Sequence, residues 1–186
     1  MQDIEKKGVK LTFDISGFDP LENPLVSLGK VTLAGGASGS TATFSGLNLA
    51  LDGTYIVLGR GKFSIGYGDI FWKVNSDSTA GHYYSLSQVT NELSVTPAAA
   101  ASRQLISAGV TNQDFQFSAK ITSDLTGKVR AMSDLNQVEN TVGLFSISAA
   151  LYDQVANLTS LSFCADSTDV GFEAGTIFEL FKLRSI

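Results

Sequence analysis

Few side chains in this sequence could move a proton or hold a metal, and their spacing tests each chemistry in turn. His82 is the single histidine. A nucleophile–base–orienter triad needs a Ser or Cys beside that imidazole and a carboxylate behind it. No Gly-x-Ser-x-Gly turn of the kind that exposes a serine nucleophile is present, and His82 falls in a polar loop ahead of Tyr83, which suits a turn role. Asn75, Asp77 and Thr79 alternate like the first ligands of a calcium loop. That loop then needs Gly at its sixth position and a bidentate Glu at its twelfth; here Gly81 is seventh and Leu86 twelfth. Asx turns explain Asp77, and Asp166 and Asp169 as well. Carboxylates that cleave glycosides stand about 5–10 Å apart across a cleft. Asp69, Asp77, Asp114, Asp134, Glu139, Asp153 and Glu173 fall at apparent turns or strand ends, and no spacing singles out a pair. The lone Cys164 excludes an internal disulfide or a multi-cysteine zinc site, and its apolar neighbours suit an inert buried thiol. The sequence assigns no catalytic residue, metal or cofactor.

One concentration of side chains could hold a ligand, and it is aromatic. Tyr67, Phe71, Trp72, Tyr83 and Tyr84 lie within 18 positions of one another, with Asp77 among them. Rings flanked by polar loop residues can stack on sugars or anchor a subunit contact. Tyr67, Trp72, Asp77, Tyr83 and Tyr84 are therefore candidates for either role. Phe71 and Trp72 are neighbours in a strand, so one faces the core and the other faces a partner or a ligand.

The elements that position these groups read as strands. At 186 residues the chain suits one domain with a core that needs no staples. Hydrophobic residues make up 44% and charged residues 17%, which excludes a disordered chain. Eighteen Gly against three Pro suit many short strands and tight turns. A net charge of −5 argues against nucleic acid, whose phosphates need a clustered basic footprint. No apolar run approaches the roughly 18 residues of a membrane span. The polar start Met1-Gln2-Asp3-Ile4-Glu5 lacks a signal-peptide pattern, so a soluble protein made in a cytoplasm is expected.

Val9, Leu11, Phe13 and Ile15 alternate with Lys10, Thr12 and Asp14 as one strand, and two prolines follow in the loop after it. Residues 1–27 read as an N-terminal arm and linker, and residues 28–186 as the main domain. Gly59 and Gly61, inside the run from Tyr55 to Phe63, mark a bulge or a close approach of another backbone or a ligand. Phe115, Phe117, Ala119 and Ile121 alternate with polar residues as a half-buried strand, and Lys128 to Met132 pairs back on it. Leu144 to Leu151 reads as a strand and Tyr152 to Asn157 as a loop. Thr96-Pro97 and the four alanines after it predict a short helix near 97–108. Nine or ten strands at this spacing predict an all-β antiparallel β-sandwich or jelly roll. The stretch Thr176 to Leu183 is apolar on both faces. Ile177 and Phe181 point one way and Phe178 and Leu180 the other, as in a central strand with the arm or a second subunit on its outer face. Val9, Leu11, Phe13, Ile177 and Phe181 are the subunit-interface candidates.

Two phrases resemble a recurrent kind of tailed-bacteriophage virion protein with a jelly-roll domain. The first is Lys30-Val31-Thr32-Leu33, a small-residue stretch, then Thr41-Ala42-Thr43-Phe44-Ser45-Gly46-Leu47, with Phe71-Trp72-Lys73-Val74-Asn75-Ser76-Asp77 running on to Tyr83-Tyr84. The second runs from Leu158-Thr159-Ser160-Leu161-Ser162-Phe163 to Phe172-Glu173-Ala174-Gly175-Thr176-Ile177-Phe178-Glu179-Leu180-Phe181. The likeness covers about 28–184, with Phe181-Lys182 where that group commonly has Tyr-Gly. It implies a non-enzymatic virion component, such as a capsid decoration or cement protein, a head fibre or a tail-associated piece. Proteins of this kind form homo-oligomers, often trimers, that contact major capsid or tail proteins, and a receptor-binding tail domain would contact host glycan.

Overall fold

The computed structural model describes residues 24–35, 41–64, 69–89, 104–108, 114–139, 142–165 and 171–183. They form eleven strands: β1 (Leu25–Thr32), β2 (Thr41–Ser45), β3 (Thr54–Lys62), β4 (Asp69–Val74), β5 (Tyr83–Val89), β6 (Gln104–Ala108), β7 (Asp114–Ser123), β8 (Lys128–Glu139), β9 (Val142–Val155), β10 (Ser160–Ala165) and β11 (Ile177–Leu183). One described helix, α1 (Leu49–Asp52), joins β2 to β3. All strand pairs are antiparallel. They build a seven-stranded sheet in the order β1-β11-β3-β7-β8-β9-β5 and a four-stranded sheet in the order β2-β10-β4-β6. From β1 to β7 the chain crosses between the sheets at every step. β11 slots between β1 and β3, and β10 between β2 and β4. That interleaving is a jelly roll, as the strand spacing predicts.

Three expectations need correction. Residues 104–108 are strand β6, paired with β4 (Trp72 opposite Gln104, Ile70 opposite Ser107). Helix propensity is a weak prior, and pairing overrides it here; Pro97 to Arg103 lie outside the described residues. Tyr152 to Val155, read as loop, extend β9 to 14 residues. The first strand begins at Leu25, within the stretch read as linker. Val9, Leu11 and Phe13 lie outside the described residues.

The core is a sheet of rings between the two layers. Phe163 of β10 stacks on Phe178 of β11, with centroids 5.5 Å apart and planes at 5°. Phe117 of β7 meets both rings edge-on. Phe63, Phe115 and Phe172 form a second cluster. Along β7 the residues Phe115, Phe117, Ala119 and Ile121 are buried and their neighbours face outward, as the period of two requires.

The β7–β8 hairpin shows how local sequence sets register. Asp124 Oδ1 accepts from the Thr126 amide at 2.8 Å and the Lys128 amide at 3.1 Å. Gly127 takes φ 85°, a left-handed position that favours glycine. Hydrogen bonds from Thr126 and Arg130 hold the Asp124 carboxyl well below its ordinary pKa.

Toward β9 the large sheet places serines among its inward residues and apolar side chains on its outer face. On β8 and β9 the inward residues include Ser133, Ser146 and Ser148, which are 5%, 2% and 2% exposed. Met132, Phe145 and Ile147 point outward and are 66%, 38% and 47% exposed. Tyr152, buried on the same face as Ser146 and Ser148, fixes the parity of the strand. Ser148 Oγ is buried without a hydrogen-bond partner among the described residues.

Candidate functional site

Three features of the described chain could carry function: a polar cluster at one end of the sandwich, a groove on the outer face of the large sheet, and the apolar patch on β8 and β9.

The polar cluster gathers Asp77, His82, Tyr83 and Tyr152. Asp77 Oδ2 accepts from His82 Nδ1 at 2.6 Å and from the Tyr152 hydroxyl at 2.8 Å, and Oδ1 accepts from the Thr79 amide at 2.8 Å, an Asx turn. The hydrogen bond from His82, helped by those from Thr79 and Tyr152, holds the Asp77 carboxyl well below its ordinary pKa despite partial burial. The Tyr83 hydroxyl accepts from the Val74 amide at 3.1 Å and donates to the Asp77 carbonyl at 2.8 Å. Burial pushes its pKa up to about 12. Burial, and then the Asp77 carboxylate, also raise that of Tyr152. Nearby, Asn75 Oδ1 accepts from the Thr159 and Ser160 amides, so the loop after β4 is pinned to the loop before β10. Asp77, the Tyr83 and Tyr152 hydroxyls and His82 Nδ1 are all engaged in this tie. It is a clasp between β4, β5 and β9.

Two of the ring candidates belong to the core. Trp72 is fully buried on the face it shares with Ile70 and Val74, and Phe71 is the outward member of the pair. Tyr83 is also fully buried, its hydroxyl engaged as above. Neither can stack on a ligand, so both are corrected as contact residues. Tyr84 is exposed and pairs across the sheet with Leu151 of β9. Asp77 is held inside the clasp, and Tyr67 lies outside the described residues. Ile177 and Phe181 sit half-buried on the outer face of β11, opposite Arg60 and Ile56 of β3, while Phe178 and Leu180 are fully buried beneath.

The groove runs over β11, β3, β7 and β8. Leu58, Arg60, Gln116, Ser118, Asp134 and Glu179 line one part of it, about 380 Å³. Arg60, Gln116 and Asn136 stand in one cross-strand row. On the inner side of β3, Gly59 and Gly61 leave no room for side chains: a Cβ on Gly61 would lie 2.3 Å from Thr176 Oγ1, and one on Gly59 3.0 Å from the Phe178 ring. The sequence marked this pair as a place of close approach, and the approaching group is the chain's own core.

The apolar patch is the feature that sequence reasoning missed. Met132, Phe145, Ile147, Leu151 and Tyr84 share the outer face of β8, β9 and β5. Among the described residues no cluster of His, Cys, Asp or Glu could hold a metal ion, and no helix is long and apolar enough to cross a membrane.

No protein family and no curated protein matches this sequence. Among solved structures, a marine PL-14 alginate lyase from Aplysia kurodai is similar over 92% of this chain and 93% of that one, at 11% identity and a TM-score of 0.38.

Proposed function

We propose that this protein is a non-enzymatic structural component of a bacteriophage virion, a capsid decoration or cement protein that binds the particle surface as a homo-oligomer. The virion assignment rests on the resemblance of its opening and closing phrases to that group. The observation that carries self-association is the outward apolar face of β9, joined by Met132 of β8. β9 buries Ser146 and Ser148 and presents Phe145 and Ile147 to the outside, and so forfeits apolar burial within its own subunit. Contiguous exposed apolar patches of this kind mark protein contacts. A second copy of the chain, covering Met132, Phe145, Ile147 and Leu151, recovers that burial, and a trimer is the form the resemblance implies. Obligate interfaces have this character, a core cut in half.

The test is twofold. Mass measurement in solution should give a multiple of the 19.7 kDa chain, and a reconstruction of the particle should place the protein on its surface. A strict monomer absent from particles would sink the proposal.

A further inference from the structure

The groove over β3, β7 and β8 adjoins the apolar patch, with Asp134 opposite Ile147 and Asn136 opposite Phe145, and has its own chemistry. Strands spaced about 4.8 Å apart set Arg60, Gln116 and Asn136 in a line about 10 Å long. Below that row, Ser118 Oγ donates to Asp134 Oδ1 at 2.5 Å, and Lys30 lies 3.5 Å from Glu179. The Arg60 guanidinium and the Gln116 amide make no hydrogen bond or ion pair with other described residues. An adjoining hollow of about 750 Å³ continues the row past Asp114 and Gly175. Leu58 and Ile177 supply apolar ground beside the polar line.

We infer that this groove binds a short neutral glycan laid across the strands. Three properties select that class. Arg60 stands among Asp114, Asp134 and Glu179, and Glu179 is paired with Lys30 beside the groove, a mixture that disfavours a polyanion. Guanidinium, amide, hydroxyl and carboxylate groups offer donors and acceptors side by side, which suits sugar hydroxyls, since each of them donates and accepts. Leu58 and Ile177 suit the C–H face of a pyranose ring. An extended peptide is a poorer occupant. It binds a sheet by adding to a free edge, and β3, β7 and β8 are each paired on both sides.

The experiment is saturation-transfer NMR and calorimetry on the full chain. The probes are cellotetraose, maltotetraose, mannotetraose and galactotetraose, with tetragalacturonate as the acidic arm. At least one neutral oligosaccharide should bind more tightly than about 10 mM. The double variant Arg60→Ala/Gln116→Ala, at two exposed positions, should keep its melting temperature and weaken that binding about tenfold or more. Lys73→Ala, on the opposite sheet, should leave it unchanged. The inference is overturned if no neutral probe binds, if only the acidic one does, or if binding survives the double variant. It does not depend on self-association: a monomer that binds glycan through Arg60 and Gln116 would remove the oligomer proposal and keep this one.

Discussion

Replacing Met132 and Ile147 together by Lys tests whether β8 and β9 face a second subunit. Fully burying an Ile or Met side chain contributes about 1.5–3 kcal/mol. Ile147 retains 47% and Met132 66% of its exposure, so covering the remainder is worth about 1–2 kcal/mol each. The double variant loses this and places two ammonium groups against apolar side chains of the neighbour. Snorkelling relieves part of that desolvation, and the rest raises the loss to about 4 kcal/mol, or about three decades in Kd. The fold should tolerate the change. Both sites are exposed in the subunit, and Ile147 stands opposite Asp134, so Ile147→Lys creates a favourable cross-strand charge pair. Light scattering after size exclusion and sedimentation velocity, each over a concentration series, should show the wild type as an oligomer and the variant as a monomer. Melting temperatures should agree within about 2 °C. A variant that associates as tightly as the wild type would refute the assignment of this face.

Trp72→Ala should cost about 3–5 kcal/mol in urea unfolding, as expected for a large buried side chain; a loss below about 1 kcal/mol would mean the indole is not packed as described. Gly61→Ala should cost about 1–3 kcal/mol, because Thr176 is buried and its carbonyl is tied to the Leu33 amide, so it cannot move aside; an unchanged Tm would contradict the close approach. Asp77→Asn should cost about 1–3 kcal/mol at neutral pH, since the carboxylate serves three donors. The lowered pKa of Asp77 means that the folded chain binds fewer protons than the unfolded chain in acid. Its contribution is therefore complete above the unfolded value near 3.8 and fades as pH falls toward the folded one. Urea titrations below about pH 4 should show the wild type losing more stability than the variant, and parallel curves would rule out this role.

What could be read from the sequence follows from how each strand is constrained. β7 was legible because one face carries Phe115, Phe117 and Ile121 and the other only polar residues, so period and face agree. β9 has the same period but the opposite face, and period alone does not say which side is in. Its parity is set by Tyr152, which the sequence suggested was loop. For Phe71 and Trp72 the alternation was right, and the signal for the inward member was present in Lys73, which shares the face of Phe71. The alanines at 98–101 favoured a helix up to Ala108, where pairing with β4, some 35 residues earlier, decides for strand. The Asx turn at Asp77 was legible, but its tie to Tyr152 was not: Tyr152 reaches Asp77 across 75 positions, and only the assembled sandwich brings them together.

The place of β11 has a consequence for how the molecule comes into being. Its neighbours are β1 and β3, and Leu25 pairs with Leu183. A ribosome releases the first strand long before the one that must lie between it and the third. Until then β1 and β3 present unpaired edges on facing sides, and neither can pair with the other in its native place. The sheet is therefore finished by insertion of β11 between β1 and β3, a step dominated by closure of a very long loop. Folding should be slow and late, with exposed edges in the interim that invite pairing between nascent chains.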